Sequence, residues 1–398
     1  MVNESDNVAG WYLGEGDAVS GELRIDGETQ ASGNILGGYT EKGGALANSV
    51  MIDGSSVRPA ENEAGEELAA PLIVGGGSAD GDASDNRVTV TGGDMNLPDD
   101  LPGHLEDMSD ISGTVNAQAA MLVGGMAEKG TASGNSVAVD DHSAAAAEQI
   151  IVGGAGWIGA SGNGAAVNDH SVAAAEMIIG GMAMIGEASD NEMTVSGGSA
   201  AAGISGAGLM AGGMSGFSSS DDIVEGAEGN VSGNRLGVYD SSVIMTEIAG
   251  GMTGNGAASG NTADFSGSHV AAAMLVGGMT VNGEASGNTV IITDGTTVGG
   301  EAVIVGGIVG VTADESGQAE AAGAAYEYEF SGDSRMKAGP WEAREESLQG
   351  SSVFGEIGVL MRDKDSPWSM DINLRGYTGE RENGKASAAC CSWRTVSE

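Results

Sequence analysis

The chain has 398 residues, 71 of them glycine, with 4% aromatic residues and a net charge of −42. Residues 1–334 carry 6 Lys+Arg and 47 Asp+Glu, residues 335–398 carry 9 and 10, so the charge is −41 in the first part and −1 in the second. Such an acidic surface repels phosphate backbones and anionic lipid, so no nucleic-acid partner is expected; the 40% of apolar residues is more than a disordered acidic chain carries.

The first residues, Met1-Val2-Asn3-Glu4-Ser5, have neither a basic region nor an apolar one, so no signal peptide is read in this chain. No stretch reaches the ~18 apolar residues of a membrane helix. From residue 37 a Gly-Gly pair recurs, at 37, 75, 124, 153, 180, 212, 250, 277 and 306. An Asn follows the first glycine by 11 residues at Asn48, Asn86, Asn135, Asn191, Asn261 and Asn288. Asn163 comes one residue early, and Asn234 follows an insertion around Ser218–Glu228.

Two strand signals lie in each unit. The second and fourth residues after the Asn are apolar, as in Val137/Val139, Met193/Val195 and Val290/Ile292, which is the period of a half-buried strand. Val137, Val139, Val195, Val290 and Ile292 are expected to face inward. A short apolar run precedes each Gly-Gly pair, and Gly, Asp, Ser and Asn fill the turns between the two signals. One unit cannot bury its apolar side alone, but stacked units can. The expected fold is therefore all-β: a parallel β-solenoid (β-helix) of about nine or ten glycine-rich coils over residues 1–313. The Asn residues should form an amide ladder along a turn, and Met126, Met182, Met214, Met252 and Met279, each following Gly-Gly, a packing ladder. Residues 53–71 and 94–118, with Pro59, Pro71, Pro98 and Pro102, read as loops projecting from the spine.

Beyond about residue 313 the repeat stops. Tyr326, Tyr328 and Phe330 alternate with Glu327 and Glu329, residues 351–361 form a second apolar segment, and Trp368, Met370, Ile372 and Leu374 alternate with polar residues in a third. Apolar-out, polar-in alternation over about ten residues is what a transmembrane β-strand requires. The segments AAYEYEF (324–330), SLQGSSVFGEIGV (347–359) and PWSMDINLRGYTGERENG (367–384) resemble, in the same order, the closing strands of the translocator barrel of bacterial autotransporters, the type V secretion family. The Gly-Gly and Asn units resemble repeats of that family's passengers. The resemblance implies a few barrel-like antiparallel strands over 314–385, the remnant of a barrel, before a disordered tail at 386–398. Family barrels have a dozen strands and end in an aromatic residue, whereas this chain has three such segments and ends in Glu398.

The function implied is that of a non-enzymatic passenger fragment, structural or adhesive, at the outer membrane or cell surface. Its partners would be host or cell-surface ligands, and the outer membrane through an incomplete barrel. The alternatives are a degenerate, truncated gene product without present function and a carbohydrate-active β-helix enzyme. No catalytic, cofactor-binding or metal-binding residue is assigned. Gly332-Asp333-Ser334 has no histidine downstream to form a serine-hydrolase site. Adjacent Cys390 and Cys391 build neither a disulfide framework nor a metal quartet. His142 and His170 each lie seven residues after their unit's Asn and follow Asp141 and Asp169, so they should stack one coil apart, close enough for a metal pair, and are read as a polar turn stack on an acidic surface. No third metal ligand is evident from His269 or His104. The Ala-Ser-Asp-Asn turns at 83–86 and 188–191 do not match the calcium nonapeptide of β-rolls.

Overall fold

A computed structural model of the chain describes residues 7–309, apart from 32, 63, 96, 98–114, 205–207, 217–228, 294 and 300–301; beyond residue 308 only the backbone of strands is described. The Ser218–Glu228 insertion, Pro98, Pro102, His104 and the side-chain alternation around Trp368, Met370 and Ile372 lie outside the described residues.

The described residues from Val8 to Val309 form a parallel β-solenoid. One coil runs through four extended segments, Val172–Ala174, Met177–Ala183, Glu187–Ser189 and Glu192–Ser196. Sequence periodicity marks the second and fourth segments; the three-residue strands between them carry no pattern of their own. Copies stack in register. The strand after the Asn pairs Val137 with Ala165, Ala165 with Met193 and Met193 with Leu236. The short Ala-Ser strands align Ala132, Ala160 and Ala188. Each of these two sheets has nine strands among the described residues, in sequence order along the axis.

The interior is divided. Ile178, Met193 and Val195 belong to one apolar cluster with Ala173 and Ala175. Ala160, Ala183, Ala188, Val231 and Ala258 form a separate one. The division falls at the Gly-Gly pair, which approaches the following strand closely. A Cβ on Gly180 would lie 2.4 Å from the carbonyl oxygen of Glu192 and 2.4 Å from that of Gly212, and one on Gly181 would lie 2.1 Å from Asn191 Oδ1. Neither position tolerates a side chain, so the strand is pinched inward there. Residues alternating with the inward Ile178, namely Met177 and Ile179, join Met182, Met214 and Met252 in a cluster on the opposite side of the strand. Met182, Met214, Met252 and Met279 stack in register along this side, whereas Ala155 separates Met126 from the rest of the expected ladder.

Val137, Val139 and Val195 are buried in the main core as expected. Val290 and Ile292 pack against the same core but are only partly buried, since their coil is the last of its sheet. The segment 53–71 is not one projecting loop. Ser56–Pro59 is a strand of the coil, paired with Glu28–Ala31, and only residues beyond it leave the spine. There Asn62 Oδ1 accepts hydrogen bonds from the amides of Ala64 and Glu66, closing a turn. In the second proposed loop, Met95 is buried against Ala144, Val172 and Ala200, and the coil resumes at Ala117.

After the last Gly-Gly strand, Val303–Val309, the topology changes from parallel to antiparallel. Gln318–Glu329 pairs with it, and the strands Gly350–Arg362, Trp368–Gly379 and Ser387–Thr395 then follow as consecutive antiparallel neighbours. Asp333–Ala338 and Trp341–Glu346 pair separately. Ser387–Thr395 lies within the stretch read from sequence as a tail.

Candidate functional site

Two polar columns run along the solenoid, one inside and one at an exterior corner. The inner one is the asparagine ladder. Asn163 shows its bonding: its backbone amide and its Nδ2 both donate to Asn191 Oδ1, each at 3.0 Å, and Nδ2 also donates to Ala132 O at 3.0 Å. Its own Oδ1 accepts from the amide and Nδ2 of Asn135. The same pattern joins Asn48, Asn86, Asn135, Asn163, Asn191, Asn234, Asn261 and Asn288. Asn163 and Asn234, both displaced in the sequence, stand in line. The ladder runs along a turn, as expected, packed beneath the Gly-Gly pairs, and the residue before each Asn takes up the bend. That residue is left-handed throughout, glycine at Gly134, Gly162, Gly233, Gly260 and Gly287, aspartate at Asp85 and Asp190, and alanine at Ala47. Among the described residues no buried side-chain nitrogen or oxygen lacks a partner. The ladder is thus structural: its groups are already satisfied, and from Asn48 to Asn261 its side chains are buried.

The Ala-Ser-Asp-Asn turns are explained by that bend. Asp85 and Asp190 stand in the same column with Gly134 and Gly162 between them, three coils apart, or about 14 Å at the spacing of paired strands. They cannot share a cation.

A second ladder, of hydroxyls, has no counterpart in the sequence reading. The amide of Ser143 donates to Ser171 Oγ, that of Ser171 to Ser199 Oγ, and so on through Ser241 and Ser268 to Thr296. It follows the exterior corner that carries the histidines and fixes the height of each turn there.

At that corner Asp141, His142, Asp169 and His170 are all left-handed, with φ of 53°, 58°, 50° and 58°. The next coil has Gly197 and Gly198 in the same conformation, without side chains. The amide of His142 donates to Asp169 O and that of His170 to Gly197 O, which places the pairs one coil apart. The two imidazoles stack, with centroids 5.2 Å apart and planes within 8°, as their sequence spacing implies. The carboxylates also converge: ligand atoms of Asp141, His142 and Asp169 all lie within 4.8 Å of one another. Asp169 Oδ1 is 3.3 Å from His170 Nδ1. The third donor that histidine spacing does not reveal is therefore a carboxylate of the neighbouring coil. His269 is elsewhere, on a strand, with Nδ1 2.6 Å from Thr297 Oγ1.

At the first coils Tyr12 stacks on Tyr39, their centroids 5.3 Å apart. Burial, then the charge of Glu128, pushes the Tyr39 phenol up to about 12; the hydrogen bond to Glu41 raises Tyr12 as well. Gly332 is outside the described residues, and only the backbone of Asp333 and Ser334 is described, so the Gly-Asp-Ser sequence gains no geometry.

No protein-family model, no curated protein and no solved structure matches the chain.

Proposed function

We propose that the chain is a passenger-type surface protein of the autotransporter kind, whose solenoid acts as a rigid, non-enzymatic spacer or adhesive scaffold outside the cell. The observation that carries this reading is the order of two architectures. A parallel solenoid is followed in the chain by four antiparallel strands of 12, 13, 12 and 9 residues, each paired with the next. Such lengths suit an outer-membrane barrel, whose strands need about 9–11 residues to cross.

The solenoid suits the role physically. Each coil contacts its neighbours through in-register sheets and a satisfied amide ladder, so stiffness accumulates along the axis. Nine coils stacked at strand spacing extend roughly 40 Å. The charge of −41 on residues 1–334 keeps copies of such a rod apart in solution.

The test uses intact cells of the source organism and an antibody raised against the solenoid. Surface labelling, with loss of the signal on protease shaving, is the expected result. A protein found only in the cytosolic fraction and protected from external protease would overturn the proposal.

A further inference from the structure

We propose that the exterior corner formed by Asp141, His142 and Asp169, donors from two adjoining coils, binds a zinc ion.

The donor set comes first. Ligand atoms of Asp141, His142 and Asp169 lie within 4.8 Å of one another. Tetrahedral zinc, with its bonds of about 2.0–2.2 Å, places ligand atoms about 3.3 Å apart. The remaining contraction is within reach of side-chain rotation, because the His142 and Asp141 side chains are 46% and 62% exposed. Three protein donors leave the fourth position for water.

The second observation is the imidazole stack. His142 and His170 are held 5.2 Å apart and nearly parallel by solenoid register. An ion at this corner meets the His142 imidazole and carboxylates from two coils, whereas an ordinary acidic turn offers only oxygen. Imidazole with carboxylate selects zinc and similar transition metals; calcium and magnesium prefer all-oxygen shells. Among the described residues Gly197 and Gly198 flank the pair on one side and Gly92 and Gly93 on the other, and the His142 and His170 side chains are 46% and 54% exposed.

The whole chain is strongly acidic, so the test must separate this corner from diffuse attraction. Zinc chloride is titrated calorimetrically into the full chain in about 150 mM salt with millimolar calcium present, which occupies nonspecific carboxylates. The expected result is one saturable zinc site per chain, weakened at least tenfold in His142→Asn and in Asp169→Asn; asparagine tolerates the left-handed backbone at both positions. A measurement on the unaltered chain stands beside the variants. The chain has four histidines, and zinc should shift the imidazole proton resonances of His142 and His170 while leaving that of His269 in place. Absence of saturable zinc binding in calcium would overturn the proposal. So would undiminished binding in either variant, or a zinc shift confined to other histidines.

Discussion

Trp11 occupies the space that an asparagine would take at Gly21. In the first coil Trp11 pairs with Gly38, the second glycine of the next coil, and the Gly21 amide donates to Asn48 Oδ1 at the foot of the ladder. A Cβ on Gly21 would lie 2.5 Å from Trp11 Cδ1. Elsewhere the glycine is on the Gly-Gly strand and the bulk is on the asparagine. Here the two are exchanged, and a half-exposed indole closes the end of the amide column.

That exchange predicts coupling between the two positions. Gly21→Asn alone should loosen the first coil, because the new side chain meets the indole. Combined with Trp11→Gly it should cost less, with a favourable interaction of about 1 kcal/mol or more. Hydrogen exchange of peptides spanning residues 8–31 reports this directly, since the end coil can open without the rest. Additive effects would mean that the indole and the ladder are independent.

Glycines inside one coil should differ sharply in their tolerance of alanine. Gly181→Ala places a methyl group 2.1 Å from Asn191 Oδ1 and should destabilise by about 1–3 kcal/mol. Gly164 has nothing nearer than Glu192 O at 3.9 Å around an added Cβ. Gly164→Ala should be neutral or stabilising by about 0.5 kcal/mol. Thermal melts of the two variants give the comparison.

Breaking the ladder at Asn191 should be worse than removing an ordinary buried side chain. Asn191→Ala leaves the amide and Nδ2 of Asn163 and the carbonyl of Ala160 without their partner. A loss of about 2–4 kcal/mol is expected from denaturant unfolding, given the cost of unsatisfied buried groups.

The two faces of the strand after the Asn make a third contrast. Val195→Asp puts a charge among residues with no solvent access and should destabilise by several kcal/mol. Ile291→Asp, on the exposed face of the last such strand, should change stability by less than about 0.5 kcal/mol. Val290→Asp should fall between them, because Val290 is only partly buried. Protease resistance ranks the three.

Alkaline titration should single out Tyr39. Its phenol, held protonated up to about 12 chiefly by burial, resists ionisation after an unfolded tyrosine has lost its proton near 10. The folded state then binds more protons than the unfolded one between about pH 10 and 12, so this contribution is complete below that window and is lost as pH rises through it. Ultraviolet titration should show a late component that disappears in Tyr39→Phe.

The sequence by itself determined the repeat, the all-β class and the inward positions of Val137, Val139 and Val195. Period two and the Gly-Gly to Asn spacing are local quantities, and stacking identical units turns local patterns into columns. It determined the histidine stack for the same reason. What each glycine is for was decided only by the tertiary structure, since a left-handed turn at Gly134 and a crowded interior at Gly125 read alike in the chain. The two- and three-residue strands were invisible because they are too short for any periodicity to register. The exchange of Trp11 with Gly21, and the approach of Asp169 to Asp141 and His142, depend on how residues about one coil apart are rotated at the corner. That rotation is set by turn dihedrals and by register with the neighbouring coil, neither of which is a property of the residue itself.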